Sequence, residues 1–349
     1  MGRRRAWRMD ESLESGEGGN RPRGDHEPAR GRRLPIGARP GAAILFVVNP
    51  SSGGGKAGRE WAGVETWLPS SGLPYEVVFT TRPFEATEIA QKAVRESRPV
   101  VVAVGGDGTL NEVLNGFFRN GAPIPTSSKL AMVPLGTGGD FRRTLRIPID
   151  PKEAIEVLRS GMVRRLDAGC VTYQNQDGST AVRHFINIAD AGLGGDVVYR
   201  VNRGSKRLGA MTYKVGSGLA LLTYKNKPMT MVIDGSTHEL AKAQQVVVAN
   251  CQFFGGGMQM APSASPTDGV FDVIVVKDAG KIETMRGIND FLNGKHLDNG
   301  NPKIELMYGK RITVTSPEKV RIDLDGEDVG FLPALFEIQP GAIEFITPR

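Results

Sequence analysis

From Ala43 onwards, short apolar runs alternate with longer stretches in which apolar residues recur every three or four positions. The short runs are typical of buried β-strands, and the wider spacing is typical of amphipathic helices. Strands are predicted at Ile44–Val48, Tyr75–Thr80, Val100–Val104 and Leu130–Pro134, with helices between them and a further helix that begins after the pair Asp150-Pro151. This alternation predicts a three-layer α/β domain with a mostly parallel sheet over residues 41–165.

Beyond Leu166 the pattern changes to short strands separated by turn signals. The pair Asp177-Gly178 separates predicted strands Cys170–Tyr173 and Val182–Ile188. Further strands are predicted at Met229–Ile233, Val246–Ala249, Val270–Val276, Ile312–Thr315 and Val320–Leu324, and helical spacing returns only in Leu208–Thr223 and Ile282–Leu292. These elements predict a β-sandwich domain over residues 166–349, and we expect its extreme C-terminus to pack back on the first domain.

Glycine-rich or polar segments follow each of the four strands of the predicted α/β domain. They are the Asn49–Lys56 loop, Thr80, the Gly105–Thr109 turn and the Gly136–Asp140 loop. Ligands of such sheets bind beyond the carboxyl ends of the strands. The four segments therefore predict one ligand site at that edge.

The Gly105–Thr109 turn joins the most apolar strand to a helix with apolar residues at Leu110 and Val113. Glycines let backbone N–H groups approach phosphate oxygens, and a helix N-terminus attracts anions. The turn therefore predicts a polyphosphate site, the alternative being a turn that needs glycine for geometry alone. Asp107 would repel a bare triphosphate, so it implies Mg²⁺ bound with the nucleotide, or contact with a sugar or ordered water.

The net charge of +6 is unevenly distributed. Residues 1–40 hold ten Arg and six acidic residues, a net charge of +4, which leaves +2 for the rest. A globular part so nearly neutral gives no reason to expect a nucleic-acid partner. Residues 1–40 lack apolar periodicity and are predicted to be a disordered Arg/Gly-rich tail, either solvated or held near anionic lipid head groups. No secretory signal or membrane-spanning run is predicted.

The chain has two isolated cysteines, Cys170 and Cys251, and four scattered histidines. This pattern predicts buried free thiols in a reducing cytoplasm and argues against a zinc site. Oxygen ligands are expected for any metal.

Several motifs occur together in a fixed order. They are Asn49-Pro50-x-x-Gly53, Gly105-Gly106-Asp107-Gly108-Thr109-Leu110-Asn111-Glu112, Pro134-Leu135-Gly136-Thr137-Gly138, Phe185-Ile186-Asn187-Ile188-Ala189, Gly255-Gly256-Gly257-Met258, Asp268-Gly269 and Asp325-Gly326-Glu327. Together they resemble the diacylglycerol kinase catalytic-domain family, in particular bacterial lipid kinases related to sphingosine and ceramide kinases. The first glycine motif alone is shared with NAD kinases and phosphofructokinases.

The resemblance implies an ATP site built from Asn49, Ser51, Gly53, Gly54, Gly55, Thr80, Gly105, Gly106, Asp107, Gly108, Thr109, Asn111, Glu112 and Thr137. It also implies that Asp107 takes part in catalysis and that Glu327 is the general base on the lipid hydroxyl. Without the resemblance, Asp325-Gly326 reads as an ordinary hairpin turn and Glu327 as a solvated residue.

The resemblance further implies a structural Mg²⁺ held by Asp268 and by the backbone carbonyls of Ser265 and Val270. Asp140 and Asp167 match acids that would join Asp107 in a hydrated network around the nucleotide metal. One departure is visible, because Gly139 stands where the family usually has Asn.

The sequence therefore predicts an ATP- and Mg²⁺-dependent lipid kinase, with diacylglycerol as the first candidate acceptor. A sphingoid or ceramide-like lipid, NAD, and nucleotide binding without turnover stay open as alternatives. The resemblance also implies a cytoplasmic enzyme that acts peripherally at the membrane surface and that can form a homodimer.

Overall fold

The computed structural model describes residues 43–136, 139–203, 219–298 and 300–349. The predicted tail, Thr137 and most of the predicted Leu208–Thr223 helix lie outside these residues. The last part of that helix, residues 219–223, is described and is helical.

The N-terminal part alternates strands and helices in the predicted order. Its elements are β1 (Ile44–Val48), α1 (Ser52–Trp67), a short 3₁₀ helix (Leu68–Ser71), β2 (Tyr75–Phe79), α2 (Glu85–Arg95), β3 (Val100–Gly105), α3 (Asp107–Asn115), β4 (Phe118–Arg119), β5 (Ala122–Pro123), β6 (Lys129–Pro134), α4 (Asp140–Leu145) and α5 (Pro151–Ser160). The side chain of Asp150 caps α5, because its Oδ1 accepts hydrogen bonds from the backbone N–H groups of Lys152 and Glu153 at 2.8 and 3.1 Å.

Strands β1, β2, β3 and β6 pair in parallel. Successive residues of a strand point to opposite faces, so Phe46 joins a buried cluster with Trp61 of α1, while Leu45 and Val47 join another with Leu110 of α3. Helices thus cover both faces of this part of the sheet, which confirms the predicted α/β architecture.

The C-terminal part consists mainly of strands. Its elements are β7 (Met162–Gln174), β8 (Thr180–Phe185), β9 (Ile188–Gly192), α6 (Leu193–Arg203), β10 (Lys227–Ile233), β11 (Ser236–Ala249), β12 (Phe271–Lys277), α7 (Lys281–Leu292), β13 (Ile304–Gly309), β14 (Arg311–Thr315), β15 (Arg321–Leu324) and β16 (Glu327–Thr347). They surround a separate buried cluster that includes Phe185, Phe271 and Phe336.

The expectation of a mostly parallel sheet is wrong for the sheet as a whole. All the strands except β4 and β5 form one 14-stranded sheet, in which the pairs beyond β1, β2, β3 and β6 are antiparallel apart from β6 with the end of β16. The reason is β16, a 21-residue strand that pairs with β7, β14 and β15 and then reaches β6 through Phe345 and Leu130. One long strand therefore connects the two parts.

The predicted continuous strand Val182–Ile188 is also wrong, because β8 ends at Phe185 and β9 begins at Ile188. The backbone N–H groups of Ile186, Asn187 and Ile188 turn towards the carboxylate of Asp325 instead of continuing the ladder. Both cysteines are buried free thiols, as predicted. Among the described residues, no helix is both long and apolar enough to cross a bilayer.

Candidate active site

The loops that follow β1 and β3 are bonded to each other at the carboxyl edge of the parallel strands. Asn49 donates from its backbone N–H to the Val104 carbonyl at 3.1 Å and from Nδ2 to Thr109 Oγ1 at 3.2 Å. The backbone N–H of Gly106 donates to Ser52 Oγ at 3.0 Å. Two of the predicted nucleotide loops therefore form one surface, and Ser52 helps to hold it.

The first loop enters α1 through three consecutive left-handed glycines, Gly53, Gly54 and Gly55, with φ of 61°, 67° and 85°. Residues with a Cβ rarely adopt this backbone, which explains the run of glycines. A Cβ placed on Gly54 would meet no atom within 4 Å, so open space lies beside the turn. Backbone N–H groups beside open space can bind an anion.

Asp107 uses its two carboxylate oxygens differently. Oδ2 accepts hydrogen bonds from the backbone N–H groups of Gly139 and Asp140 at 3.0 and 2.9 Å, which ties the β3 turn to the loop before α4. Oδ1 is buried and has no hydrogen-bond partner among the described residues. A buried, unpaired carboxylate oxygen fits a cation or water ligand, and hard oxygen atoms are what Mg²⁺ prefers.

Asp140 links this loop to the C-terminal part. Its Oδ2 accepts a hydrogen bond from the backbone N–H of Gly256 at 2.7 Å, and Arg143 Nε lies 3.6 Å from Oδ1. Burial raises the pKa of Asp140 and the nearby Asp107 carboxylate raises it further, whereas the Gly256 hydrogen bond lowers it. The turn that contains Gly256 is thereby drawn against the predicted nucleotide loops.

Glu327 comes from the hairpin turn between β15 and β16 and lies over the glycine turn of the N-terminal part. A Cβ placed on Gly108 would lie 2.8 Å from Glu327 Oε1, so the carboxylate occupies the space that glycine leaves. Burial raises the pKa of Glu327, and the Arg183 guanidinium opposes that shift. Glu327 is therefore a partly buried carboxylate at the site rather than the solvated residue of the alternative interpretation.

Asp325, two residues earlier, is buried and fully bonded. Its oxygens accept hydrogen bonds from the backbone N–H groups of Ile186, Asn187 and Ile188 at 3.0 to 3.1 Å, and from Asn111 Nδ2 at 2.8 Å. Burial raises the pKa of Asp325 to about 6, although these hydrogen bonds lower it. Asp325 thus fixes the hairpin that carries Glu327 to both parts of the molecule.

Asn111 belongs to this network. Its Nδ2 donates to the His184 carbonyl and to Asp325, and its Oδ1 accepts two hydrogen bonds from Arg183, at 3.1 and 2.7 Å. The side chain is fully buried, with all its hydrogen-bonding capacity used inside the protein. The side chain therefore bridges the two parts of the molecule below the turn, and its nucleotide contact stays a prediction.

The other predicted residues fall into two groups. Four of them lie at or beside the converging loops: Ser51, Thr80, Gly105 and Glu112. The backbone N–H of Thr80 donates to the Val48 carbonyl and so extends β2. The Glu112 carboxylate raises the pKa of Glu327. Asp167 lies with the Asp268 turn instead, because its carboxylate accepts hydrogen bonds from the N–H groups of Gly269 and Gly341 at 2.8 and 2.7 Å.

At the predicted structural metal site, Asp268 Oδ1 accepts a hydrogen bond from the Val270 N–H at 3.3 Å, and Ser265 Oγ lies 3.1 Å from Thr267 Oγ1. The described part of the chain contains no group of three or more His, Cys, Asp or Glu side chains that could hold a metal ion. A cation here would need backbone carbonyls, and one at Asp107 would need phosphate and water oxygens.

Sequence reasoning missed Arg183 and the hydrogen bond between Gly256 and Asp140. Arg183 sits in a strand with no motif, so only its contacts with Asn111 and its effect on Glu327 reveal it.

Gly139 has φ of 129°, a backbone conformation that residues with a Cβ rarely adopt. This backbone accounts for glycine where the resembling family usually has Asn.

Two family models match the chain: the diacylglycerol kinase catalytic domain over residues 43–171, and the YegS C-terminal NAD kinase beta sandwich-like domain over residues 187–347. An α/β nucleotide-binding domain followed by a β-sandwich-like domain, with an acid-bearing hairpin over a glycine turn, defines a lipid kinase-like enzyme.

The similar proteins agree with this class. The diacylglycerol kinase of Bacillus subtilis is 31% identical over 308 residues, 87% of this chain and 96% of the relative. That of Staphylococcus saprophyticus is 29% identical over 305 residues, 87% and 95% of the two chains. A crystal structure of a diacylglycerol kinase from Bacillus anthracis matches with a TM-score of 0.64 at 25% identity, over 88% of this chain and 97% of that chain. The chain belongs to the diacylglycerol kinase family.

Proposed function

We propose that this protein transfers the γ-phosphoryl group of ATP to a lipid hydroxyl, with diacylglycerol as the acceptor and phosphatidic acid as the product. One observation carries the proposal: the partly buried Glu327 carboxylate lies over Gly108 of the glycine turn. In phosphoryl transfer to an alcohol, a base is needed where the acceptor oxygen meets the phosphate. The Glu327 carboxylate comes from the β-sandwich-like domain and is held over a turn suited to phosphate, so it meets that requirement.

The phosphates of ATP are proposed to lie on the Gly53–Gly55 and Gly106–Thr109 turns. The open space beside Gly54 and the N-terminus of α3 support this position, since the first leaves room for an anion and the second attracts one. Asn49 and Ser52 are positioning residues in this account, because their hydrogen bonds hold the two turns together. Contacts of Ser51, Thr80 and Thr137 with the nucleotide are part of the same proposal.

Mg²⁺ is proposed to accompany the nucleotide and to be held by Asp107 Oδ1, the buried oxygen without a described partner. When bound, it neutralises phosphate charge and polarises the transferred group. Asp140 adds negative charge beside this position, while its hydrogen bond to Gly256 holds the two domains together around it. A separate structural Mg²⁺ is proposed at Asp268, with the carbonyls of Ser265 and Val270.

In the proposed reaction, Glu327 accepts the proton of the lipid hydroxyl while the acceptor oxygen forms a bond to the γ-phosphorus. The bond from that phosphorus to the bridging oxygen of ADP breaks, and ADP leaves. Burial raises the pKa of Glu327, which makes it a stronger base than a solvated glutamate. Asp325 acts as a positioning residue, because its hydrogen bonds fix the turn on which Glu327 sits.

The acceptor is proposed to come from the cytoplasmic surface of a membrane, to which the enzyme binds peripherally, as a monomer or homodimer. Support for diacylglycerol comes from the relatives, which are named for that activity. The experiment is a comparison of acceptors with labelled ATP and Mg²⁺, using dispersed diacylglycerol, sphingosine, ceramide and NAD, with products identified by mass. We expect diacylglycerol to be phosphorylated at least roughly tenfold faster than the others. Label transfer to another acceptor, or ADP release that no acceptor increases, would contradict the proposal.

A further inference from the structure

Helix α7 exposes its apolar side chains instead of burying them. Ile282, Met285, Ile288 and Leu292 are between 41% and 68% exposed, and none of the residues of the helix is buried. Their spacing of three and four residues places them on one side of the helix. A helix on the surface of a globular protein normally turns such a stripe towards the core.

The helix is attached to the protein by a different side. Phe291 packs against the buried cluster of Ile188, Val247 and Ile274 and stacks on His296 with ring centroids 4.3 Å apart. Gln244 Nε2 donates to Thr284 Oγ1 at 2.9 Å. The exposed stripe is therefore not the packing face of α7.

Charged residues are sorted around the stripe. At about 100° per residue, Lys281 falls within the stripe and Arg286 beside its Ile282 edge, whereas Glu283 and Asp290 fall on the side opposite the stripe. Glu283 is also paired there with Lys303 at 2.5 Å. The exposed stripe of α7 thus combines apolar and cationic side chains, and both acids of the helix lie away from it.

A second element extends the exposed surface. Leu219 and Leu222, in the helical residues 219–223, are 48% and 56% exposed. Lys281 Nζ donates to the Leu222 carbonyl, which holds that helical segment beside the N-terminus of α7. We call the six side chains Leu219, Leu222, Ile282, Met285, Ile288 and Leu292 the α7 patch.

We propose that the α7 patch docks the protein on an anionic lipid bilayer. Apolar side chains with flanking cations and no acid are the arrangement by which helices bind in the plane of an anionic membrane surface. The assignment to a bilayer, rather than to a protein partner, rests on this charge pattern and on the proposed lipid substrate. Contacts also lead from α7 to the site, because the backbone N–H of Gln259 donates to the Phe291 carbonyl at 3.0 Å and that of Gly256, nearby in sequence, donates to Asp140.

The test is sedimentation of the full-length protein with vesicles of phosphatidylcholine and phosphatidylglycerol. The double variant Ile282→Gln, Met285→Gln should bind roughly tenfold more weakly than the wild type, because it removes apolar contact with the membrane. The matched control is Ile149→Gln, which changes an equally exposed isoleucine, 62% exposed, in the other domain and should bind like the wild type. Arg286→Glu should also weaken binding, and its effect should disappear in 1 M salt, where the screening length is about 3 Å.

A second measurement does not require a variant that binds vesicles more weakly. Both native cysteines are buried, so Met285→Cys can be labelled selectively with an environment-sensitive fluorophore. Vesicles containing brominated lipid should quench a probe at position 285 and leave one at Ala62→Cys, an exposed position of α1, unchanged. Equal vesicle binding by the wild type and the double variant, or an unquenched probe at position 285, would overturn the proposal. So would a change from dimer to monomer in the double variant with vesicle binding unchanged, because the patch would then be a protein interface.

The outcome for the patch is separable from the outcome for the proposed function. The double variant should phosphorylate a short-chain, dispersed diacylglycerol at the wild-type rate, since neither Ile282 nor Met285 is among the residues assigned to the candidate site. If the wild type transfers no phosphate to this acceptor, the proposed function fails, while the sedimentation result still decides whether the patch binds membranes.

Discussion

The two turns that meet at the candidate site divide the same two roles, structural and chemical, differently among their acidic groups. In the hairpin of the β-domain, Asp325 has both oxygens occupied by four hydrogen bonds, while Glu327 accepts none from the described residues. In the glycine turn of the α/β domain, a single residue divides the two roles: Asp107 Oδ2 is bonded to two backbone N–H groups, and Oδ1 has no described partner. Carboxylate oxygens whose hydrogen bonds are made within the protein hold the loops in place, and oxygens without a hydrogen-bond partner are available for chemistry.

This comparison predicts its largest effect at Asp107. Asp107→Asn keeps an oxygen for Gly139 and Asp140 but replaces the unpaired oxygen with an amide, so the loop should persist while kcat falls by roughly 10³-fold or more, through loss of several kcal/mol of charge stabilisation. Asp107→Ala should lose the same activity and also loosen the loop. Steady-state ADP release with dispersed diacylglycerol measures the rate, and thermal unfolding tests the fold. A rate for Asp107→Asn within about threefold of the wild type would contradict the assignment.

Asp325 tests the structural role of a carboxylate whose oxygens are both hydrogen-bonded. Asp325→Asn places an amide where at least one pair of N–H donors now finds an acceptor, which should lower the free energy of unfolding by roughly 2–4 kcal/mol. Chemical denaturation measures this loss. Asp177→Asn, in the exposed β7–β8 turn, is the control and should change stability by less than about 0.5 kcal/mol. Equal stability of the two variants would show that the Asp325 network holds nothing together.

His184 lies under the same network and should make stability depend on acidity. Its ring stacks on Phe118 with centroids 3.7 Å apart, and burial lowers the pKa of His184 to about 4. A lowered pKa in the folded state means that its stabilising contribution is present above pH 6.5 and is lost as the pH falls towards 4. We expect wild-type stability to fall by roughly 1–3 kcal/mol more than that of His184→Gln between pH 7 and pH 4.5. Parallel curves for the two proteins would contradict a buried neutral imidazole.

Arg183 should give the smallest effect, a displaced pH profile. The Arg183 guanidinium lowers the pKa of Glu327, so Arg183→Gln should raise it and move the acidic limb of kcat/KM to higher pH. Activity that needs an ionised base rises with pH through that limb. Arg164→Gln, which changes an exposed arginine of β7, is the matched control. A slower enzyme with an unmoved limb would indicate that Arg183 acts only through Asn111.

The sequence predicts local elements well and long-range pairings poorly. Strands β1, β3 and β6 and the helix capped by Asp150 follow from periodicity and capping residues that lie within a few positions of each other. The single sheet through both domains depends on the register of β16 with β6, β7 and β14, which no local pattern encodes.

The same distinction holds within the site. Glycine motifs mark the turns directly, because left-handed backbone such as that of Gly53–Gly55 requires glycine. The roles of Asn111 and Arg183 depend on contacts across 214 and 72 residues of sequence, respectively, so the motif around Asn111 points to the nucleotide while the folded side chain bonds to protein. Whether a polar side chain has its hydrogen bonds made within the protein depends on the fold and cannot be read from a local motif.

The central claim is that Glu327 is the base and not a nucleotide or metal ligand, and the most direct test measures rate and affinity on the same variant. Glu327→Gln should lower kcat by about 10²–10⁴-fold, the usual span for acid–base catalysis, with ATP affinity within about twofold of the wild type. Glu318→Gln, an exposed neighbour in sequence, is the control for both measurements. Loss of ATP binding in proportion to the loss of rate, or a nearly normal kcat, would contradict the account.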